Sequence, residues 1–154
     1  MRKLKIILSV LVTFIVAIVL THSCKKDSTS NISKNNESRS HNMGQNCMNC
    51  HKSGGSGTGT FNVAGTVYNA TITSTNGNGT VHIFTGSAGT GIVEAVIEVD
   101  SKGNFFTTNT VDFTSGLYPA ITGTSGTTKF MNSKATSGQC NSCHGVSTDK
   151  IWVN

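Results

Sequence analysis

The chain has 154 residues, of which 36% are hydrophobic and only 12% charged, with 17 glycines and a formal charge of +5. That length allows one domain with a modest core, and abundant Gly and Thr, both poor helix formers, exclude a helical bundle. Three of the twelve basic residues lie in the first five positions. From Lys25 onward nine Lys and Arg face seven Asp and Glu, so the basic charge is no argument for a nucleic-acid partner, and no basic run is interleaved with aromatics.

Residues 1–23 read as an export signal. Arg2, Lys3 and Lys5 give a positive start, and Ile6 to Leu20 is an apolar run broken only by Ser9 and Thr13. That run is short for a membrane span and suits the apolar region of a signal peptide. The segment Leu20-Thr21-His22-Ser23-Cys24 resembles the lipobox of bacterial lipoproteins, with Thr21 where that family usually has Leu. The resemblance implies a lipidated Cys24, a membrane anchor, and a protein facing the periplasm or the cell surface. The five cysteines agree with it, since four belong to paired motifs and Cys24 is left over.

Residues 24–46 are rich in Ser, Asn and Lys and hold few apolar side chains, so they are expected as a flexible tether. Residues 47–60 begin with Cys47-Met48-Asn49-Cys50-His51 and continue into a stretch containing Gly54, Gly55, Gly57 and Gly59. Such a stretch makes a hinge, or a loop that passes close to something bulky. It lacks the G-x-x-x-x-G-K-[ST] pattern of a phosphate-binding loop.

From Phe61 the period changes to two, and 61–131 is expected as a small antiparallel β-sandwich of about seven strands. Phe61, Val63, Gly65 and Val67 alternate with polar or small neighbours, and Ala70 to Thr73 is a second short run. Thr80 to Thr85 follows the turn Asn76-Gly77-Asn78-Gly79. Val93, Ala95, Ile97 and Val99 alternate with Glu94 and Glu98 on one side, giving the clearest strand, Ile92 to Val99. Asp100 to Asn104 is a hairpin turn into Phe105 to Thr108, and further strands are expected at Leu117 to Thr122 and Thr127 to Met131. Residues 132–154 carry Cys140-Asn141-Ser142-Cys143-His144 and a tail with Trp152. The fold class is therefore mainly β, a sandwich flanked by two short C-x-x-C-H segments.

C-x-x-C-H is the attachment signal for a c-type haem. Two thiols at this spacing can each form a thioether to one porphyrin vinyl group, and the next residue offers an imidazole to the iron from the same side. The expected thioether residues are Cys47, Cys50, Cys140 and Cys143, and the expected proximal iron ligands are His51 and His144, for two covalent haems. A zinc site is the main rival, because the two pairs and their histidines offer six ligands, but a whole sandwich separates them in sequence. A disulfide across each pair is the other, without the βαβ pattern of a thioredoxin. For the far side of each iron, His82 and Met131 are the tentative ligands. His41 and Met43 also precede the first motif, and Met48 lies between its cysteines. Trp152 is the aromatic best placed in sequence to cover the second haem. Glu94 and Glu98 make no catalytic pair, and no catalytic residue is expected.

Val63-Ala64-Gly65-Thr66-Val67-Tyr68 and Val99-Asp100-Ser101-Lys102-Gly103-Asn104-Phe105 resemble the transthyretin-like or carboxypeptidase-regulatory-like β-sandwich, over roughly 61–130. A sandwich of this kind ending in G-x-C-x-x-C-H resembles exported multihaem c-type cytochromes. The resemblance implies an electron carrier, no enzyme, whose partners are redox donors and acceptors at the cell envelope. A binding or structural module carrying haem, or a small haem enzyme or sensor, are the alternatives.

Overall fold

The structure, a computed structural model, describes residues 31–154. The signal segment, Cys24 and the start of the expected tether lie outside the described residues. Alternating apolar and polar side chains set the strand faces, and no helix of seven or more residues occurs among the described residues. The strands are β1 (Val63–Tyr68), β2 (Thr80–Phe84), β3 (Val93–Glu98), β4 (Asn104–Thr107), β5 (Tyr118–Thr122), β6 (Thr128–Phe130), β7 (Gly138–Gln139) and β8 (Ile151–Trp152).

The protein is mainly β, as expected, with two sheets stacked in a sandwich. One sheet has the order β3-β2-β5-β6 and is antiparallel throughout. The other is centred on β1, which pairs antiparallel with β4 along one edge. Its opposite edge is shared: β7 runs parallel to the first half, at Val63 and Ala64, and β8 runs parallel to the second half, at Val67 and Tyr68. Residues 140–150, which contain the second C-x-x-C-H motif, are thus a loop thrown out between two short strands on the same edge.

Val63, Val67 and Phe105 from the β1 sheet meet Val81, Ile83, Ile97 and Ile121 from the other, with Val99, Leu117 and Val153 completing the core. Gly65 has no room for a side chain: a Cβ there would strike the Phe105 ring and press on Cβ of Cys140. Ile97 in β3 and Val99 just after it are buried, whereas Val93 at the strand's start is exposed. The run Ala70 to Thr73 forms a turn instead of a strand. The Asn69 carboxamide captures it, accepting from the backbone N–H of Thr73 at 3.1 Å and Ser74 at 3.4 Å, a local side-chain bond that competes with strand pairing.

Part of the expected tether 24–46 lies against the sandwich. Residues 31–46 form a strap held along the β4 side of the sandwich. Ser33 and Phe106 exchange hydrogen bonds, with Ser33 N donating to Phe106 O at 2.9 Å and Phe106 N to Ser33 Oγ at 2.9 Å. Thr108 N donates to Asn31 O, Ser101 N to Glu37 O, and Asn36 N to Asn78 Oδ1. Ser33 is fully buried and Ile32 packs against the core. The strap caps a strand edge that would otherwise be open.

Candidate functional site

The two C-x-x-C-H motifs fold alike. Cys47–Asn49 and Cys140–Ser142 each make one 3₁₀ turn, ending on Cys50 and Cys143 in right-handed helical conformation. His51 N donates to Cys47 O at 2.9 Å, and His144 N to Cys140 O at 3.0 Å. The thiols match as well: Cys47 Sγ donates to Gln45 O at 3.7 Å and Cys140 Sγ to Gly138 O at 3.6 Å. Among the described residues all four cysteines are free thiols. Cys50 and Cys143 are exposed; Cys47 and Cys140 are partly buried.

Each histidine is oriented by a backbone carbonyl further along the chain. His51 Nδ1 lies 3.0 Å from Thr58 O and His144 Nδ1 lies 2.7 Å from Asp149 O. A carbonyl only accepts, so Nδ1 is the donor in both rings, and in the neutral imidazole Nε2 is then the nitrogen with the free lone pair. A hydrogen bond from one ring nitrogen commonly fixes which tautomer a metal-ligating histidine presents. The glycine-rich loop 52–60 supplies the carbonyl for His51. It curls back to bring Thr58 to the ring, and Gly57 passes so close that a Cβ there would lie 2.7 Å from His51 Nδ1. The bulky group that Gly57 approaches is the His51 imidazole. Phe61 stacks on the same ring at 4.1 Å with planes 6° apart, and Phe106 stacks on Phe61 at 4.7 Å.

The motifs, 93 positions apart, meet in space. Asn46 Nδ2 donates to Gln139 Oε1 at 3.2 Å, joining the residues that precede Cys47 and Cys140. Asn141, between the cysteines of the second motif, donates to Gln45 O at 3.1 Å. Both 3₁₀ turns pack on β1, and Thr66 is the common anchor. Its hydroxyl donates to Asn104 Oδ1 at 2.7 Å and accepts from Gly44 N at 2.9 Å and Asn141 Nδ2 at 3.1 Å. Thr66 N donates to Asn141 Oδ1 at 3.0 Å. Thr66, Asn104 and Asn141 are all buried, and their bonds tie strap, β4, β1 and second motif into one network. Sequence reasoning did not single out Thr66, Asn104 or Asn141; their one local signal is that Asn141 lies inside the motif.

Burial pushes the Cys140 thiol from 9.0 up to about 12, opposed by its backbone hydrogen bond and aided by Cys47 and Cys143. Burial also raises Cys47, opposed by its backbone hydrogen bond, with Asp100 and Cys50 adding to the rise. Next to the first motif lies a cleft of about 230 Å³ lined by His41, Cys47, Cys50, His51, Phe61 and Phe106, among others. It is smaller than the roughly 300 to 1,000 Å³ typical of small-molecule pockets.

His82 and Met131 are not brought to this region. Val81 and Ile83 fill the core, so His82 between them points to the outer face of the opposite sheet, near Phe84 at 6.0 Å. Met131 follows β6 in that same sheet, its N–H bonded to Pro119 O. The sandwich stands between His82 and the two motifs. The Trp152 ring is taken by Lys129, whose Nζ lies 3.0 Å from its centroid. No group of three or more His, Cys, Asp or Glu side chains that could hold a metal ion occurs among the described residues. No protein-family model, curated protein or solved structure matches this chain.

Proposed function

We propose that the protein is an electron carrier that binds two c-type haems, one at each motif. Cys47 and Cys50 would form the thioethers of the first and Cys140 and Cys143 those of the second, with His51 and His144 as the proximal ligands. The observation that carries this reading is the repeated donor geometry. Two motifs far apart in sequence adopt the same turn, keep both thiols free, and hold Nδ1 on a carbonyl so that Nε2 is left to bind.

The residues present fit the group. Haem c takes one imidazole per motif and two thiols that make carbon bonds, so it needs no cluster of three metal donors. The cleft is small, but attachment through thioethers does not depend on enclosure. When bound, the haem supplies a one-electron iron couple. The chain's own part is to hold the imidazoles, to keep Cys47 and Cys140 against β1, and to set the two sites side by side. With the signal-like and lipobox-like start, the reading extends to export and anchoring through a lipid on Cys24. The partners are redox proteins of the envelope met through small, transient contacts.

The test is a haem count. The chain produced by an export host with cytochrome c maturation should keep haem through a denaturing gel and show two haems per chain by pyridine haemochrome. Removing both cysteines of one motif should lower the count to one. A chain with no covalent haem, or with zinc bound in its place, overturns the reading. Labelling with palmitate that is lost in Cys24→Ser tests the anchor separately.

A further inference from the structure

We propose that His41 is the second axial ligand of the iron held by His51, so that the first haem is six-coordinate with an imidazole on each side. This inference rests on the haem reading above and assigns the far side of one of its two irons.

The first observation is placement. The His41 and His51 rings have centroids 5.9 Å apart with planes tilted by 37°, and both line the cleft that contains Cys47 and Cys50. Metal–imidazole bonds of about 2 Å put two nitrogens on opposite sides of one ion about 4 Å apart. Ring centres lie further out than the nitrogens, so the observed spacing is in the range such a pair needs.

The second observation is that His51 has one edge to offer. Its Nδ1 is committed to Thr58 O, one face is stacked on Phe61, and Gly57 passes close to Nδ1, Cγ and Cε1 of the ring. What remains is the Nε2 edge.

The third is that His41 is not on a free tether. Asn104 Nδ2 donates to Ser40 Oγ at 2.9 Å and to His41 O at 3.1 Å, and Lys102 Nζ donates to Ser40 O at 2.8 Å. Gly44 N is bonded to the buried Thr66 hydroxyl. The backbone on both sides of His41 is thus pinned to the sandwich, while its ring is exposed. The other candidates fall away on position: His82 faces outward from the opposite sheet, Met131 belongs to that sheet, and Met48 lies between the thioether cysteines. Met43 shares the strap and serves as the control.

An iron with two protein ligands is low-spin and has no open position. The experiment compares wild type with His41→Ala and Met43→Leu by electronic and electron paramagnetic resonance spectra, each normalised to the pyridine haemochrome count. In His41→Ala the count should stay at two while one of the two haems becomes high-spin and binds carbon monoxide. Added imidazole should restore the low-spin spectrum. In a chain that also carries Cys140→Ala and Cys143→Ala, the whole remaining haem should convert. Met43→Leu should match wild type. A His41→Ala protein with two haems, both low-spin and closed to carbon monoxide, overturns the His41 assignment and leaves the dihaem reading intact. A conversion confined to Met43→Leu, or absent from the single-haem background, overturns it as well. A wild-type chain without two covalent haems overturns the underlying reading instead. If His41→Ala does not accumulate, His41→Met is used; a spectrum identical to wild type then counts against the assignment.

Discussion

Cys47 and Cys140 sit in the same position of their turns, and both thiols are raised by burial against β1. This differs from the outer pair, Cys50 and Cys143, which lie exposed. In the chain before haem is attached, alkylating reagents should therefore label Cys50 and Cys143 well ahead of Cys140. The pH dependence follows from the direction of the shift. The unfolded chain ionises this thiol near 9.0, while the folded one holds its proton until about 12. The stability gained by keeping the thiol neutral is full below 9.0 and is lost as pH climbs towards 12. Urea midpoints of the haem-free chain should fall over that interval more steeply than those of Cys140→Ala. Equal slopes would show that Cys140 titrates as an ordinary thiol. The roles proposed for the six motif residues rest on local spacing, which the sequence shows directly. His41 was visible only as one of several candidates, since nothing local says where its ring goes.

The element that decides the site is the interrupted strand on the far edge of β1. β7 and β8 are two residues each, too short for any alternation to be seen, and together they hold both ends of the second motif's loop. Asn141 locks that loop down. It fills the hydrogen-bonding needs of Thr66 N, Thr66 Oγ1 and Gln45 O at once. Asn141→Ala should leave the Thr66 N–H buried without a partner and cost about 1–3 kcal/mol, read as a drop in urea stability. The same variant should make Cys47 more reactive, because Gln45 loses its tie to the second motif. A stability within error of wild type would mean that water replaces the carboxamide. The strap 31–46 shows the same limit on sequence reading. It is polar, which suits a tether, yet its backbone groups and Ser33 bond to a strand edge. Polarity shows that a segment has little apolar surface to bury; it does not show whether its hydrogen bonds go to water or to protein.

Across the whole molecule, one sandwich sheet serves as a platform and the other as its backing. The ends of the sandwich converge on the platform, so the first and second motifs lie side by side, tied through Asn46 to Gln139 and Asn141 to Gln45. The sequence puts the first motif after a flexible tether. In the structure the strap bonds the segment before it to the sandwich, as β7 and β8 hold the ends of the second. For a dihaem protein this closeness has a measurable outcome. The paramagnetic resonance spectrum of the oxidised protein should show magnetic interaction between the two irons. It should therefore differ from the sum of the spectra of the two single-haem variants, made by removing the cysteines of one motif at a time. Spectra that simply add would place the irons far apart and count against electron exchange within the chain. The opposite sheet contributes a different surface, with Val96 and Phe130 exposed, and takes no part in the motifs.

Two things were readable from residue order alone: a mainly β body, and the proximal half of each proposed site. Both are written in short periods. Alternation over five or six residues places one face in the core, and five consecutive residues make a C-x-x-C-H. The meeting of the two motifs, the docking of the strap and the pairing of His41 with His51 came from the fold. Each rests on contacts between residues far apart in the chain. Their partners are buried amides, hydroxyls and backbone groups, which satisfy one another in ways that no periodicity announces.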